Sequence, residues 1–184
     1  NQLTIEDLRV KSQTSDIKVI QALDGELITP SVIEKAKFAD GNIVSNPEND
    51  ILKILVLHLY QKAKPAIAFI KGFGFRSGAI ASSVAHDSHN IVAVGVNDED
   101  LVKAVNLVNN AKGGVSWVNN GEEEILPLPV AGIMSNEDAF IVAEKYNLMD
   151  QKAKSLGSSL NAPYMTLSFM ALLVIPELKL SDKG

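Results

Sequence analysis

Two runs of small and β-branched residues on either side of a short polar cluster constrain the fold of this chain most strongly. The runs occupy residues 77–85 and 91–95, and between them lie His86, Asp87, Ser88, His89 and Asn90. The runs predict strands, and Asp, Ser and Asn readily close turns with their own side chains. We therefore expect a hairpin, or a tight connection between two strands, that presents imidazole and carboxylate groups together.

The polar cluster has a structural and a functional interpretation. An Asp-Ser-His-Asn segment is also an ordinary polar turn, and composition alone favours that structural interpretation. Side chains alternate faces along an extended strand, so His86 and His89 converge only if the chain turns between them. As a metal site the pair is incomplete, because zinc requires at least three protein ligands and the chain has three histidines and no cysteine.

Composition indicates one globular domain. The chain has 184 residues, of which 46% are hydrophobic and 21% charged, and this is enough apolar material for a sizeable core. A formal net charge of −5 argues against a nucleic-acid partner.

The sequence shows no membrane span and no signal peptide. The longest apolar run, residues 165–175, is too short to cross a membrane, so we expect a cytoplasmic protein. Because residue 1 is Asn rather than Met, we expect the chain to be part of a longer protein.

Hydrophobic periodicity and turn residues predict an α+β fold, in which about three α-helices cover a mixed, largely antiparallel β-sheet. We expect strands at residues 16–23, 27–28, 35–38, 51–60, 65–69, 79–85, 91–96, 114–118 and 122–126. A first helix should begin after the cap Asn97 and bury Leu101, Val105 and Val108. A second should begin with a Ser135–Asp138 capping box, end at Gly157 and bury one face that comprises Val142, Tyr146, Met149, Ala153 and Leu156. A third should run from Pro163 to about Val174, with a strand as the alternative for that segment.

Three local patterns allow more than one interpretation. The glycines of the segment 71–76 indicate a tight loop that approaches other backbone or a ligand closely. The small residues on one face of the strand 79–85 suit a flat ligand, or equally a helix that lies close against the sheet. His58 and Trp117 each lie in apolar strand patterns, so we interpret both as structural residues rather than ligand contacts.

Five separated segments, in order along almost the whole chain, resemble the C-terminal domain of bacterial adenine deaminase. They are Phe-Ile-Lys-Gly-Phe-Gly at residues 69–74, the segment 78–91 that contains the polar cluster, Val-Gly at 94–95 with Asn-Asp-Glu-Asp at 97–100, Leu-Pro-Leu-Pro-Val-Ala-Gly-Ile-Met-Ser at 126–135, and residues 163–170 with 176–184. The resemblance implies that residues 1–184 form this C-terminal domain alone.

The resemblance also implies an activity for the longer protein. Members of the family are amidohydrolases that hydrolyse adenine to hypoxanthine and ammonia in purine salvage, with a dinuclear manganese or iron centre in a preceding (β/α)₈ barrel. That barrel is not within this sequence, so we expect no cofactor or metal site in the chain and no activity from it in isolation. The implied partners are the N-terminal barrel of the same protein, adenine in the full enzyme and further copies in a homo-oligomer.

For the polar cluster, the resemblance implies an active-site role. His86, Asp87 and His89 are then expected to line the active site of the full enzyme, or to orient groups within it. Ser83, Ser88 and Asn90 are expected to bind substrate. Two alternatives remain open: the cluster braces a domain or subunit interface, or the whole domain is a non-catalytic module for stability, oligomerisation or small-molecule binding.

Overall fold

A computed structural model describes residues 2–184 and contains ten strands and three α-helices. The strands are β1 (Asp16–Gln21), β2 (Ser31–Lys35), β3 (Lys37–Ala39), β4 (Asn42–Val44), β5 (Leu52–Leu57), β6 (Ala66–Lys71), β7 (Ala79–Ser82), β8 (Ile91–Gly95), β9 (Gly114–Asn119) and β10 (Glu122–Pro127). The helices are α1 (Asp98–Asn110), α2 (Ala139–Ser155) and α3 (Pro163–Ser168). The predicted α+β class is confirmed.

Eight strands form one sheet, in the order β10-β9-β7-β8-β5-β6-β1-β2, and β3 pairs with β4 separately. Every neighbouring pair in the large sheet is antiparallel except β1 and β6, which are parallel. The prediction of a mixed, largely antiparallel sheet is therefore confirmed. Every residue of β5, β7 and β8 is buried, as expected for central strands that are covered on both faces.

The helices divide between the two faces of the sheet. Alternate side chains of a strand point to opposite faces, so Ile54 and Val56 join the core beneath α2 and α3, whereas Leu55 and Leu57 join the core beneath α1. The domain thus has three layers, with the sheet in the middle. Within residues 2–184, no helix combines the length and the apolar character that crossing a membrane requires.

Helix α1 follows the sequence prediction closely. The side chain of Asn97 accepts a hydrogen bond from the backbone N–H of Asp100 at 2.7 Å, which caps the helix where predicted. The predicted face is buried, and it comprises Leu101, Val105 and Val108.

The small strand residues allow α1 to lie close to the sheet. A Cβ atom added to Gly95 would lie 2.6 Å from the Cβ of Ala79 and 2.8 Å from the Cγ of Leu101, so no larger residue fits there without movement. Of the two interpretations of the small strand face, this contact supports the closely packed helix.

Two predicted elements in the first half of the chain differ from the structure. No strand forms at residues 27–28, because the chain leaves β1 before Pro30: the N–H of Thr29 donates to the carbonyl of Pro176 at 3.2 Å, and the carbonyl of Thr29 accepts from the N–H of Leu178 at 3.1 Å. The strand expected at residues 35–38 is divided between the end of β2 and β3.

Two helix boundaries also differ. The N-cap of α2 is Asp138 rather than Ser135, and its carboxylate accepts a hydrogen bond from the N–H of Phe140 at 2.9 Å. The hydroxyl of Ser135 accepts from the N–H of Glu137, which precedes the helix. Helix α3 begins at Pro163 as predicted but ends at Ser168, because the following residues form separate i→i−3 turns instead of continuing the α-helix.

Candidate functional site

The polar cluster lies in the connection between β7 and β8, which pair antiparallel as predicted. Two backbone hydrogen bonds hold this connection: the N–H of His86 donates to the carbonyl of Ser168 at 3.0 Å, and the N–H of His89 donates to the carbonyl of Ala85 at 2.7 Å. The chain turns between the two histidines, so their ring centroids approach to 6.0 Å in an edge-to-face arrangement. We call residues 86–89 the histidine turn.

Both imidazoles are half-buried and keep hydrogen-bonding capacity. The ring of His86 lies on that of Phe169, with 4.9 Å between centroids. The Nδ1 atom of His89 is buried and has no hydrogen-bond partner within residues 2–184. An unpaired buried nitrogen is costly, so a group supplied from outside the described residues would stabilise it.

The tip of the histidine turn is exposed. Asp87 and Ser88 line a small cavity of about 160 Å³ together with Leu173 and Val174. Neither polar side chain forms a hydrogen bond or an ion pair with any other residue in the range 2–184. Both are therefore available to contact a ligand or another part of a longer protein.

The two ends of the connection have structural bonds. Ser83 is fully buried; its hydroxyl donates to the carbonyl of Gly132 and accepts from the N–H of Gly114 at 2.8 Å. Asn90 is buried, and its side-chain oxygen accepts from the N–H of Leu59 at 3.4 Å. These contacts anchor the connection to neighbouring loops. A direct contact of Ser83 or Asn90 with substrate stays a prediction.

A large apolar cavity of about 650 Å³ lies beside the histidine turn, between the sheet and helices α2 and α3. His86 lines this cavity, which we call the apolar cavity. Ligand pockets of this size commonly combine apolar walls with a few polar groups. Besides His86, the polar side chains of the wall are Ser82, Ser135, Glu137, Tyr146, Tyr164 and Ser168.

The two tyrosines of the apolar cavity stay protonated over the ordinary pH range. Burial raises the pKa of Tyr146, and the nearby Asp150 carboxylate raises it further. Burial raises the pKa of Tyr164 well above its usual value, and its hydroxyl donates to the carbonyl of Ser116 at 2.8 Å. The hydroxyl of Tyr146 forms no hydrogen bond with another residue of the described chain, so it can donate to a ligand in the cavity.

Sequence reasoning missed this cavity. It placed Tyr146 on the buried face of α2 without a polar role. The available signal was the Leu-Pro-Leu-Pro stretch at 126–129, because two prolines prevent a regular strand and indicate an irregular wall.

The donor set of residues 2–184 does not fit a dinuclear metal centre. Within that range no group of three or more His, Cys, Asp or Glu side chains is placed to hold a metal ion. The third histidine, His58, lies outside the turn, and its Nδ1 accepts from the N–H groups of Tyr60 and Gln61, each at 3.1 Å. That contact fits the structural interpretation of His58.

Comparison with known proteins gives consistent matches over the chain. Adenine deaminase from Methanosarcina mazei is 48% identical over 197 aligned residues, which cover 100% of this chain and 35% of that protein. Adenine deaminase from Methanosarcina acetivorans is 54% identical over 169 residues, or 91% of this chain and 30% of that protein. For Salinibacter ruber adenine deaminase the identity is 48%, over 97% of this chain and 33% of the relative.

The chain thus spans about a third of the length of these relatives. The family described as the adenine deaminase C-terminal domain matches residues 26–184, which is most of the chain. This match agrees with the five segments whose resemblance the sequence suggested. The chain belongs to the adenine deaminase C-terminal domain family.

Proposed function

We propose that this chain is the C-terminal domain of an adenine deaminase that hydrolyses adenine to hypoxanthine and ammonia in purine salvage. The observation that carries the proposal is the high identity, over nearly the whole chain, to a segment of longer proteins that bear that name. We place the enzyme in the cytoplasm and expect it to be a homo-oligomer.

In this proposal the metal chemistry belongs to the rest of the polypeptide. A hydrolytic metal site needs three or more protein ligands around each ion, and the described residues supply no such group. We therefore assign the dinuclear manganese or iron centre to an N-terminal barrel. This chain contributes polar and apolar surface next to that barrel.

The histidine turn is the part of the chain that we assign to the active site. An imidazole can donate or accept a proton near neutral pH, and a carboxylate can accept one or orient a donor. His86, Asp87 and His89 would hydrogen-bond the purine or orient a group that does so, with Ser88 beside them at the exposed tip. The hydrogen bonds of the His86 and His89 backbone N–H groups favour this role, because they hold in place the backbone from which the two imidazole side chains extend.

A second candidate is a domain that only stabilises the longer protein or its assembly. Two observations favour it. Ser83 and Asn90, at the two ends of the connection, are buried and engaged in structural hydrogen bonds. Exposed apolar side chains also lie near the histidine turn, as expected for a surface that is covered in the complete protein.

The experiment that tests the proposed function compares this chain alone with the full-length enzyme that contains it. Both proteins are assayed for hypoxanthine and ammonia release from adenine, with manganese, iron or zinc added. We expect turnover by the full-length enzyme and none by the isolated chain. Failure of the metal-loaded full-length enzyme to deaminate adenine would overturn the proposed activity, and robust turnover by the isolated chain would overturn the assignment of the chemistry to the barrel.

A further inference from the structure

Several large apolar side chains near the apolar cavity and the histidine turn are strongly exposed. Met134 and Met165 line the apolar cavity, yet Met134 is 52% exposed and Met165 is 50% exposed. Phe140, in the first turn of α2, is 86% exposed, and Leu173 and Val174 beside Asp87 are 63% and 78% exposed. We call these five residues the apolar face.

The histidine turn connects the two parts of the apolar face. His86 lines the apolar cavity, and the next two residues, Asp87 and Ser88, line the small cavity that Leu173 and Val174 share. A partner that covers the apolar face would therefore also cover the turn and bring its own groups to Asp87 and to the unpaired Nδ1 of His89.

Helix α1, which covers the opposite face of the sheet, offers no comparable surface. Within residues 2–184, α1 has no strongly exposed large apolar side chain, and its apolar residues are buried or partly buried against the sheet. The core beneath α1 is therefore complete within the domain. The core beneath α2 and α3 is not, because a cavity of about 650 Å³ remains open next to it.

We infer that the apolar face is the docking surface for the remainder of the same polypeptide, which inserts apolar side chains into the apolar cavity. This inference rests on the proposed function. The relatives are about three times as long as the matched segment, so most of such an enzyme lies outside this chain. Covalent attachment gives that remainder a high effective concentration at this surface, which favours it over a second copy. Soluble monomers rarely leave a large apolar patch uncovered.

The test uses thiol labelling, because the chain has no cysteine of its own. Phe140→Cys places a single thiol in the first turn of α2, and Val174→Cys places one at the small cavity beside Asp87. Ile33→Cys is the matched control: Ile33 is 66% exposed on β2, at the end of the sheet farthest from β10. Each variant is made in the isolated chain and in a full-length enzyme whose other cysteines have been replaced. Labelling rates with a maleimide are then compared.

All three thiols should react rapidly in the isolated chain. In the full-length enzyme we expect Phe140→Cys and Val174→Cys to react at least about tenfold more slowly, because a covered interface excludes water and reagent. Ile33→Cys should react at the same rate in both proteins.

Three results would overturn the inference. One is that Phe140→Cys and Val174→Cys each react as fast in the full-length enzyme as in the isolated chain. Another is that Ile33→Cys is protected in the full-length enzyme instead. A third is protection of Phe140→Cys in the isolated chain that disappears on dilution, which would make a second copy the occupant. Adenine deamination by the unsubstituted full-length enzyme is measured separately. An active enzyme without protection refutes the docking surface alone, and protection without deamination refutes the proposed activity alone.

Discussion

A buried ion pair between Lys53 and Asp98 joins the central strand β5 to the start of α1. The Nζ atom of Lys53 lies 2.7 and 2.9 Å from the two carboxylate oxygens of Asp98 and 2.9 Å from the carbonyl oxygen of Leu8. Only 2% of the lysine side chain is exposed, compared with 24% of the aspartate side chain. Replacing Asp98 with Ala would therefore leave a buried ammonium with a single carbonyl partner.

The expected cost of Asp98→Ala is large. Breaking a buried pair by removing one partner costs about 3–5 kcal/mol, and we expect the lower end because water reaches part of Asp98. For a chain of this size, about 1 kcal/mol lowers Tm by about 2–4 °C, so a loss near 3 kcal/mol lowers Tm by roughly 6–12 °C. The double variant Lys53→Met/Asp98→Ala should lose less than Asp98→Ala alone, because no buried charge is left unpaired.

The assay is urea unfolding of this chain, followed by circular dichroism and by the fluorescence of its one tryptophan, Trp117. Glu99→Ala is the matched control, since Glu99 is an exposed acid in the same first turn of α1 and reports the loss of helix-dipole stabilisation alone. If Asp98→Ala lowers the free energy of unfolding no more than Glu99→Ala does, the reasoning is refuted.

Two further substitutions test the packing that positions the sheet. The carboxylate of Asp50 accepts from the N–H groups of Gly72 and Gly74, both at 2.7 Å, so Asp50→Asn, which removes one acceptor, should cost about 1.5–3 kcal/mol in urea unfolding. No loss of stability would mean that these bonds contribute nothing. Gly95→Ala should cost about 1–3 kcal/mol by overpacking against the Cβ of Ala79, and an unchanged melting temperature would contradict the close packing of α1.

Local sequence patterns predict those elements whose boundaries depend on neighbouring residues. Helix α1 has its own cap at Asn97 and its own apolar period, so both its start and its buried face follow from the sequence. The buried strands β5 and β8 follow similarly from continuous apolar runs. The Gly-x-Gly loop approaches other backbone closely, as its glycines predict: a Cβ atom added to Gly72 would overlap the carbonyl oxygen of Ala22, and one added to Gly74 would lie 3.2 Å from that of Gly157.

The parts that sequence reasoning did not predict depend on distant contacts. The walls of the apolar cavity come from several separated segments: β9, β10, α2, α3 and the residues after Pro127. No local sequence pattern predicts that these segments lie together. Ser83 has its hydroxyl engaged by Gly132, 49 residues away, so its structural role is invisible in the local pattern. The two histidines converge as the turn hypothesis allowed, but the contact of His86 with Phe169 is set by the position of α3.

The most direct test of the central claim is the kcat for adenine of the full-length enzyme carrying Asp87→Ala. Asp87 is exposed and has no partner within the described residues, so the substitution should leave Tm unchanged. The matched control is Glu122→Ala, an exposed carboxylate on the edge strand β10. A group that transfers or orients a proton is worth on the order of 10²–10⁴-fold in rate, so we predict a fall in kcat of at least about 10² for Asp87→Ala and none for Glu122→Ala. A kcat for Asp87→Ala within about twofold of the Glu122→Ala value would contradict an active-site role of the histidine turn.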